Sequence, residues 1–111
     1  MAELTAEQQE MIAHFQSYQQ QLQVVMMQKE SLKLQEMETD KALEELNATK
    51  QESAYKIAGG IMVSKPVAEL KKELGENKET VSVRLQSLDR SEEKITNKLK
   101  ELQTKLSEVL K

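Results

Sequence analysis

Apolar residues recur at alternating steps of four and three along two stretches of this chain, and a glycine pair separates the stretches. The first runs through Met11, Phe15, Tyr18, Leu22, Val25, Lys29, Leu32, Glu36, Thr39, Leu43 and Leu46. The second runs through Val67, Leu74, Val81, Leu85, Leu88, Ile95, Leu99, Leu102, Leu106 and Val109, with Lys71, Lys78 and Glu92 at its polar positions. This is the heptad spacing of a helix that buries one narrow stripe against another helix. Lys29 and Glu36 weaken the first stripe midway, and Met26 and Met37 lie just off it as adaptable fillers. Thr5 with Gln8 makes a capping box that would open the first helix, over residues 5–52. A second helix is expected over residues 66–110, with Ser64 or Lys65 as its cap and Pro66 in its first turn, where a missing N–H costs nothing. Gly75, inside that second helix, should cost about 1 kcal/mol against alanine.

Between the stripes the period changes. Ala54-Tyr55-Lys56-Ile57-Ala58 and Ile61-Met62-Val63-Ser64 are short and β-prone, and Gly59-Gly60 between them permits the positive φ angles of a tight hairpin turn. A two-residue turn puts Ile57 and Met62 on one face, with Ile61 and Val63 on the other. A three-residue loop puts Tyr55, Ile57, Ile61 and Val63 on one face. The sequence favours the first slightly and leaves both open.

Two helices joined by so short a link must lie antiparallel if they meet, and residues equally far from the glycine pair then face one another. At the helical rise each would span roughly 65–70 Å. The expected fold is therefore mainly α, a long antiparallel two-helix coiled coil with a single β-hairpin at the bend, and the 111 residues form one domain. Composition agrees. Only 3% of residues are aromatic and 32% are charged, which suits long helices better than a compact core.

The two ends of such a molecule have different physical problems. A lone two-stranded hairpin is marginal in water and exposes unpaired backbone groups at its edges. Tyr55, Ile57, Gly59, Gly60, Ile61, Met62 and Val63 are therefore expected to pair with hairpins of other subunits, in a closed or sandwich-like sheet. At the free ends a pair of helices cannot fully bury a rich apolar set. Leu4, Met11, Ile12, Phe15, Leu102, Leu106, Val109 and Leu110 gather there, and exposed apolar surface of this kind marks binding sites. The same residues also satisfy a plain helical seam, so periodicity alone leaves both readings open.

Several chemistries are not expected. No cysteine is present, so there is no disulfide or thiolate chemistry. His14 is the single histidine, too little for a metal cluster. The carboxylate pairs Glu44-Glu45 and Glu92-Glu93 sit on polar faces with no pocket to tune them for acid–base work. No phosphate loop follows the glycines. An enzyme, a metal site and a cofactor are accordingly not expected. Net charge is −3 with both signs interspersed, which disfavours nucleic acid, including the role of a basic RNA-binding arm. The apolar runs Val24 to Met27 and Ile61 to Val63 are short, so neither a signal peptide nor a membrane span is expected.

The stretch Tyr55-Lys56-Ile57-Ala58-Gly59-Gly60-Ile61-Met62-Val63 resembles the hairpin of the β-type subunit of prefoldin, where a Tyr-Lys pair leads to a Gly turn and then to aliphatics. Ala42-Leu43-Glu44-Glu45-Leu46, the glutamine-rich stretch from Gln16 to Gln23, and Arg84 to Glu93 resemble the same family. The specific part is the hairpin flanked by two helices of matching length. The Ser64-Lys65-Pro66 stretch and Gly75 depart from the family's pattern. The resemblance implies a cytoplasmic hexamer of two α-type and four β-type subunits. Their hairpins would form a β-barrel platform through Tyr55, Ile57, Ile61 and Val63. It further implies an ATP-independent chaperone whose tips, here Met11, Ile12, Phe15, Leu102, Leu106 and Val109, hold unfolded proteins and deliver them to a group II chaperonin. The alternative is a structural coiled-coil adapter that docks one fixed partner and gives diverse clients no protection.

Overall fold

The structure is a computed structural model and describes residues 3–110. Its element order is α1 (Ala6–Ala48), β1 (Ser53–Ala58), β2 (Ile61–Pro66) and α2 (Val67–Val109). Two long helices of 43 residues each thus flank one antiparallel hairpin. The chain divides into two compact units, Ser31–Leu85 and the pair of segments Met1–Glu30 with Gln86–Lys111.

In the unit that holds the hairpin, the strands pair Tyr55 with Ser64, Lys56 with Val63, Ile57 with Met62 and Ala58 with Ile61. The turn is the two-residue kind. Both Gly59, at φ 57°, and Gly60, at φ 81°, sit in the left-handed region, which matches the strand twist that a hairpin of this length requires. The three-residue loop is thereby excluded. Alternation along the strands places Tyr55, Ile57, Met62 and Ser64 on one face, and Ala54, Lys56, Ile61, Val63 and Lys65 on the other.

Two boundaries differ from the sequence expectation. Helix α1 stops at Ala48 rather than residue 52. The Thr49 side-chain oxygen accepts the Gln51 backbone N–H at 3.2 Å, and such a local turn competes with another helical step. Pro66 is not in the first turn of α2, and neither Ser64 nor Lys65 caps that helix. Pro66 ends β2 opposite Ser53, and the next residue, Val67, donates its N–H to the Glu52 carbonyl at 2.8 Å. The strand ladder therefore runs directly into the helix, and proline takes a position where no N–H is required.

Also in this unit, Val67, Leu70 and Val81 of α2 and Leu32 of α1 are buried, while Leu43, Leu46 and Leu74 are half-buried. Asp40 reaches Lys78 at 2.6 Å, and the two lie nearly equidistant from the turn, as antiparallel pairing demands. Gly75 is exposed, and a methyl group added there would meet nothing within 4 Å. Gly75→Ala should therefore stabilise the chain by about 0.8–1 kcal/mol, read as a rise of several degrees in the melting midpoint by circular dichroism.

In the other unit, Thr5 and Gln8 close the capping box. The Thr5 N–H donates to Gln8 Oε1 and the Gln8 N–H donates to Thr5 Oγ1, each at 3.0 Å. Val25 of α1 and Ile95 of α2 are buried, and Met11, Phe15, Tyr18, Leu22, Leu88, Leu99, Leu102 and Leu106 are half-buried. Lys29 stands among these apolar positions with its side chain only 16% exposed. It reaches Asp89 at 2.7 Å and also pairs with Glu92. Two polar interruptions of the heptad pattern, Lys29 and Glu92, thus meet each other. Hydrogen bonding to Asp89, then to Glu92, holds the Lys29 pKa above its ordinary value, so this lysine stays charged in the seam.

Candidate functional site

The hairpin and the free ends are the two candidate surfaces, and each lies within one of the compact units. On the hairpin, Ile57 is 75% exposed, Tyr55 68%, Ile61 66% and Met62 64%, and Val63 is exposed as well. These side chains come from both faces of the ribbon, so neither face is covered at the turn end. All of the residues expected from the sequence to serve assembly, Gly59 and Gly60 included, lie together in this exposed turn region.

At its base the same hairpin is anchored. Lys56 and Lys65 share one face, and both reach Glu73 on α2, at 3.3 and 2.9 Å; Lys65 also approaches Glu69 at 3.9 Å. Beside this fork lies a groove of about 370 Å³ lined by Ala42, Leu46, Ala54, Tyr55, Leu70 and Leu74, among others. Leu70 is not among the stripe residues read from the sequence, since it flanks the heptad stripe rather than sitting on it. Its burial shows how the base of the hairpin and the helices share one apolar cluster. A trace was present in the spacing of Val67, Leu70 and Leu74, steps of three and four that put Leu70 beside Lys71 on the same face of the helix.

Hydrogen bonds from Lys65 and then Lys56 hold the Glu73 carboxyl below its ordinary value of 4.5. A carboxyl whose folded pKa is depressed adds stability that is present above that ordinary value and lost as pH falls through the depressed one. Melts recorded from about pH 6 down to pH 3 should therefore show the midpoint falling in acid, and the fall should be shallower in Glu73→Gln.

At the free ends, Leu4, Val109 and Leu110 are exposed, whereas Met11, Ile12, Phe15, Leu102 and Leu106 are half-buried. The predicted tip residues are therefore of two kinds, five that are half-buried and three that are exposed, of which Val109 ends the heptad stripe and Leu4 and Leu110 lie off it. Met11, Leu102 and Val109 come together as the apolar floor of a groove of about 450 Å³, bordered by Glu7, Glu10, His14, Lys105 and Glu108. The Gln8 side-chain amide donates to the Val109 carbonyl at 3.5 Å, and that of Gln9 donates to the Leu4 carbonyl at 3.4 Å. The place of Glu7 and Glu10 on the groove's rim emerges only with α2 alongside. Among the described residues no three His, Asp or Glu side chains converge as a metal site, and no helix is long and apolar enough to cross a membrane.

The comparisons with known proteins agree with this arrangement. The family model described as prefoldin subunit matches residues 9–111. The chain is 40% identical to the prefoldin subunit beta of Thermococcus onnurineus, over 93% of this chain and 90% of that one. It is 39% identical to that of Archaeoglobus fulgidus, over 99% and 96% respectively. The crystal structure of the prefoldin beta subunit from Thermococcus strain KS-1 superposes with a TM-score of 0.87 at 37% identity, covering 100% of this chain and 98% of that one. On fold, hairpin and sequence together, the chain belongs to the prefoldin subunit family as a β-type, archaeal-like member, and so to a family of chaperones rather than of enzymes.

Proposed function

We propose that this chain is a subunit of an ATP-independent holdase, a cytoplasmic hexamer of two α-type and four β-type subunits. In this reading the whole chain, residues 1–111, acts as one prefoldin-like domain, of which residues 1, 2 and 111 lie outside those described. The hairpins of neighbouring subunits close a β-barrel platform through Tyr55, Ile57, Gly59, Gly60, Ile61, Met62 and Val63. The coiled-coil tips bind unfolded proteins through Leu4, Met11, Ile12, Phe15, Leu102, Leu106, Val109 and Leu110 and pass them to a group II chaperonin.

The observation that carries the client-binding reading is the apolar surface left open at the free ends, where Leu4, Val109 and Leu110 are exposed. Leu4 is 39% exposed, Val109 45% and Leu110 52%, and a flexible methionine lies in the adjoining groove floor. Assembly is supported by hairpin side chains that are largely in solvent, since a ribbon with both faces bare buries too little to be stable alone.

The test dilutes a chemically unfolded client into nucleotide-free buffer with the assembled complex and follows light scattering. Suppressed aggregation without ATP, followed by client release when a group II chaperonin is added, is the expected result. Protection that requires ATP, or that holds for one partner protein and for no unrelated clients, would favour the adapter instead.

A further inference from the structure

The groove at the free ends is chemically lopsided, and the imbalance begins in the sequence. The first 28 residues contain Glu3, Glu7 and Glu10 and neither lysine nor arginine. In the fold, Glu7 and Glu10 stand on one side of the groove and Glu108 on the other, around the apolar floor of Met11, Leu102 and Val109. Lys105 and His14 are the basic groups on that rim.

Among the described residues the charge on these acids is not taken up by a lysine or arginine ion pair. Asp40, Glu73 and Glu92, which lie further along the helices, are each matched by a lysine. Among the described residues Glu7 and Glu108 make no ion pair, and Glu10 approaches only His14, at 4.0 Å. An apolar floor with an unmatched acidic rim is complementary to a segment that is apolar in its middle and basic at its flanks. Aggregation-prone segments commonly have that composition, because charged gatekeeper residues flank their hydrophobic runs. The same rim repels segments with acidic flanks, so it discriminates as well as attracts.

We infer that this groove takes apolar segments of unfolded polypeptide that carry lysine or arginine on their flanks. The inference rests on the reading of the tips as the client surface and specifies which clients that surface favours. Three exposed carboxylates facing an incoming cation give a preference of about five- to tenfold over neutral flanks at low salt. Screening shortens the reach of these charges, so the preference shrinks at about 0.5 M salt while apolar binding persists.

The experiment titrates the assembled complex with three fluorescein-labelled peptides that share one Leu-Val-Phe-Ile-Leu centre and carry flanks of lysine, glutamine or glutamate. Fluorescence anisotropy should rank lysine over glutamine by about fivefold or more, with glutamate weakest. In the triple variant Glu7→Gln, Glu10→Gln, Glu108→Gln the ranking should collapse while affinity for the glutamine-flanked peptide stays unchanged. Equal binding of all three peptides to the unaltered complex, or a ranking that survives the triple variant, overturns the inference. If Leu4→Ser, Val109→Ser, Leu110→Ser weakens all three peptides equally and no ranking exists, the charge preference is wrong and the client surface stands. If no peptide binds, both readings fall. If the triple variant changes the mass of the complex, the groove is a contact between subunits and the inference is also overturned.

Discussion

Substituting Ile57 and Met62 together with aspartate will leave a helical chain that no longer assembles. The two side chains face one another across the ribbon, and Ile57 and Met62 are both largely in solvent within a single chain. The substitution therefore costs the isolated chain little, because surface changes of this kind usually shift stability by about 0.5 kcal/mol or less. In an assembled sheet the same positions would be covered, and an unpaired carboxylate taken out of water costs several kcal/mol for each subunit. Multi-angle light scattering on the chain co-expressed with an α-type subunit should show a large complex for the unaltered protein and dissociated subunits for the variant, with the helical circular dichroism spectrum retained. A complex of unchanged mass would remove the hairpin from the assembly.

The second large effect concerns Leu70. It is 6% exposed and lines the apolar groove between the hairpin base and the helices. Leu70→Ala should cost about 2–3 kcal/mol, toward the lower end of core truncations because the groove is open to solvent. For a chain of this size that is a fall of roughly 10 °C in the melting midpoint. Leu70→Met, which conserves volume, should cost about 1 kcal/mol or less. The measurement is a pair of thermal melts by circular dichroism. Equal midpoints for the alanine variant and the unaltered chain would show that the hairpin base is not packed through this residue.

Leu70 also marks where the sequence was readable and where it was not. The heptad stripe was legible because burial in a two-helix pair follows a strict spacing. Met11, Phe15, Tyr18, Leu22, Val25, Leu32, Leu43 and Leu46 are all buried or half-buried, as the spacing required. The same logic did not find Leu70, which lies one position off the stripe and lines a groove that the strand region shares with α1. Nor could it match Lys29 with Asp89 and Glu92, or Lys78 with Asp40, because those partners lie far apart in the chain and meet only when the register is set. The hairpin was legible in its glycines, but the choice between turns needed the backbone, where both glycines adopt positive φ. The end of α1 and the position of Pro66 turned on single hydrogen bonds, those of Thr49 with Gln51 and Val67 with Glu52, which no spacing rule anticipates.

At the tips the sequence supplied the apolar residues without dividing them. Leu4, Val109 and Leu110 prove to be exposed, whereas Met11, Ile12, Phe15, Leu102 and Leu106 retain a share in the seam. That division makes a clean experiment possible, because the exposed three can be altered while the half-buried five are kept. The most direct measurement is client aggregation, followed by light scattering, with assembled complexes in which this chain carries Leu4→Ser, Val109→Ser and Leu110→Ser. The account predicts a complex of unchanged mass and helicity whose protection of several unrelated unfolded clients is largely lost. Protection equal to that of the unaltered complex would contradict it and place the client surface elsewhere on the molecule.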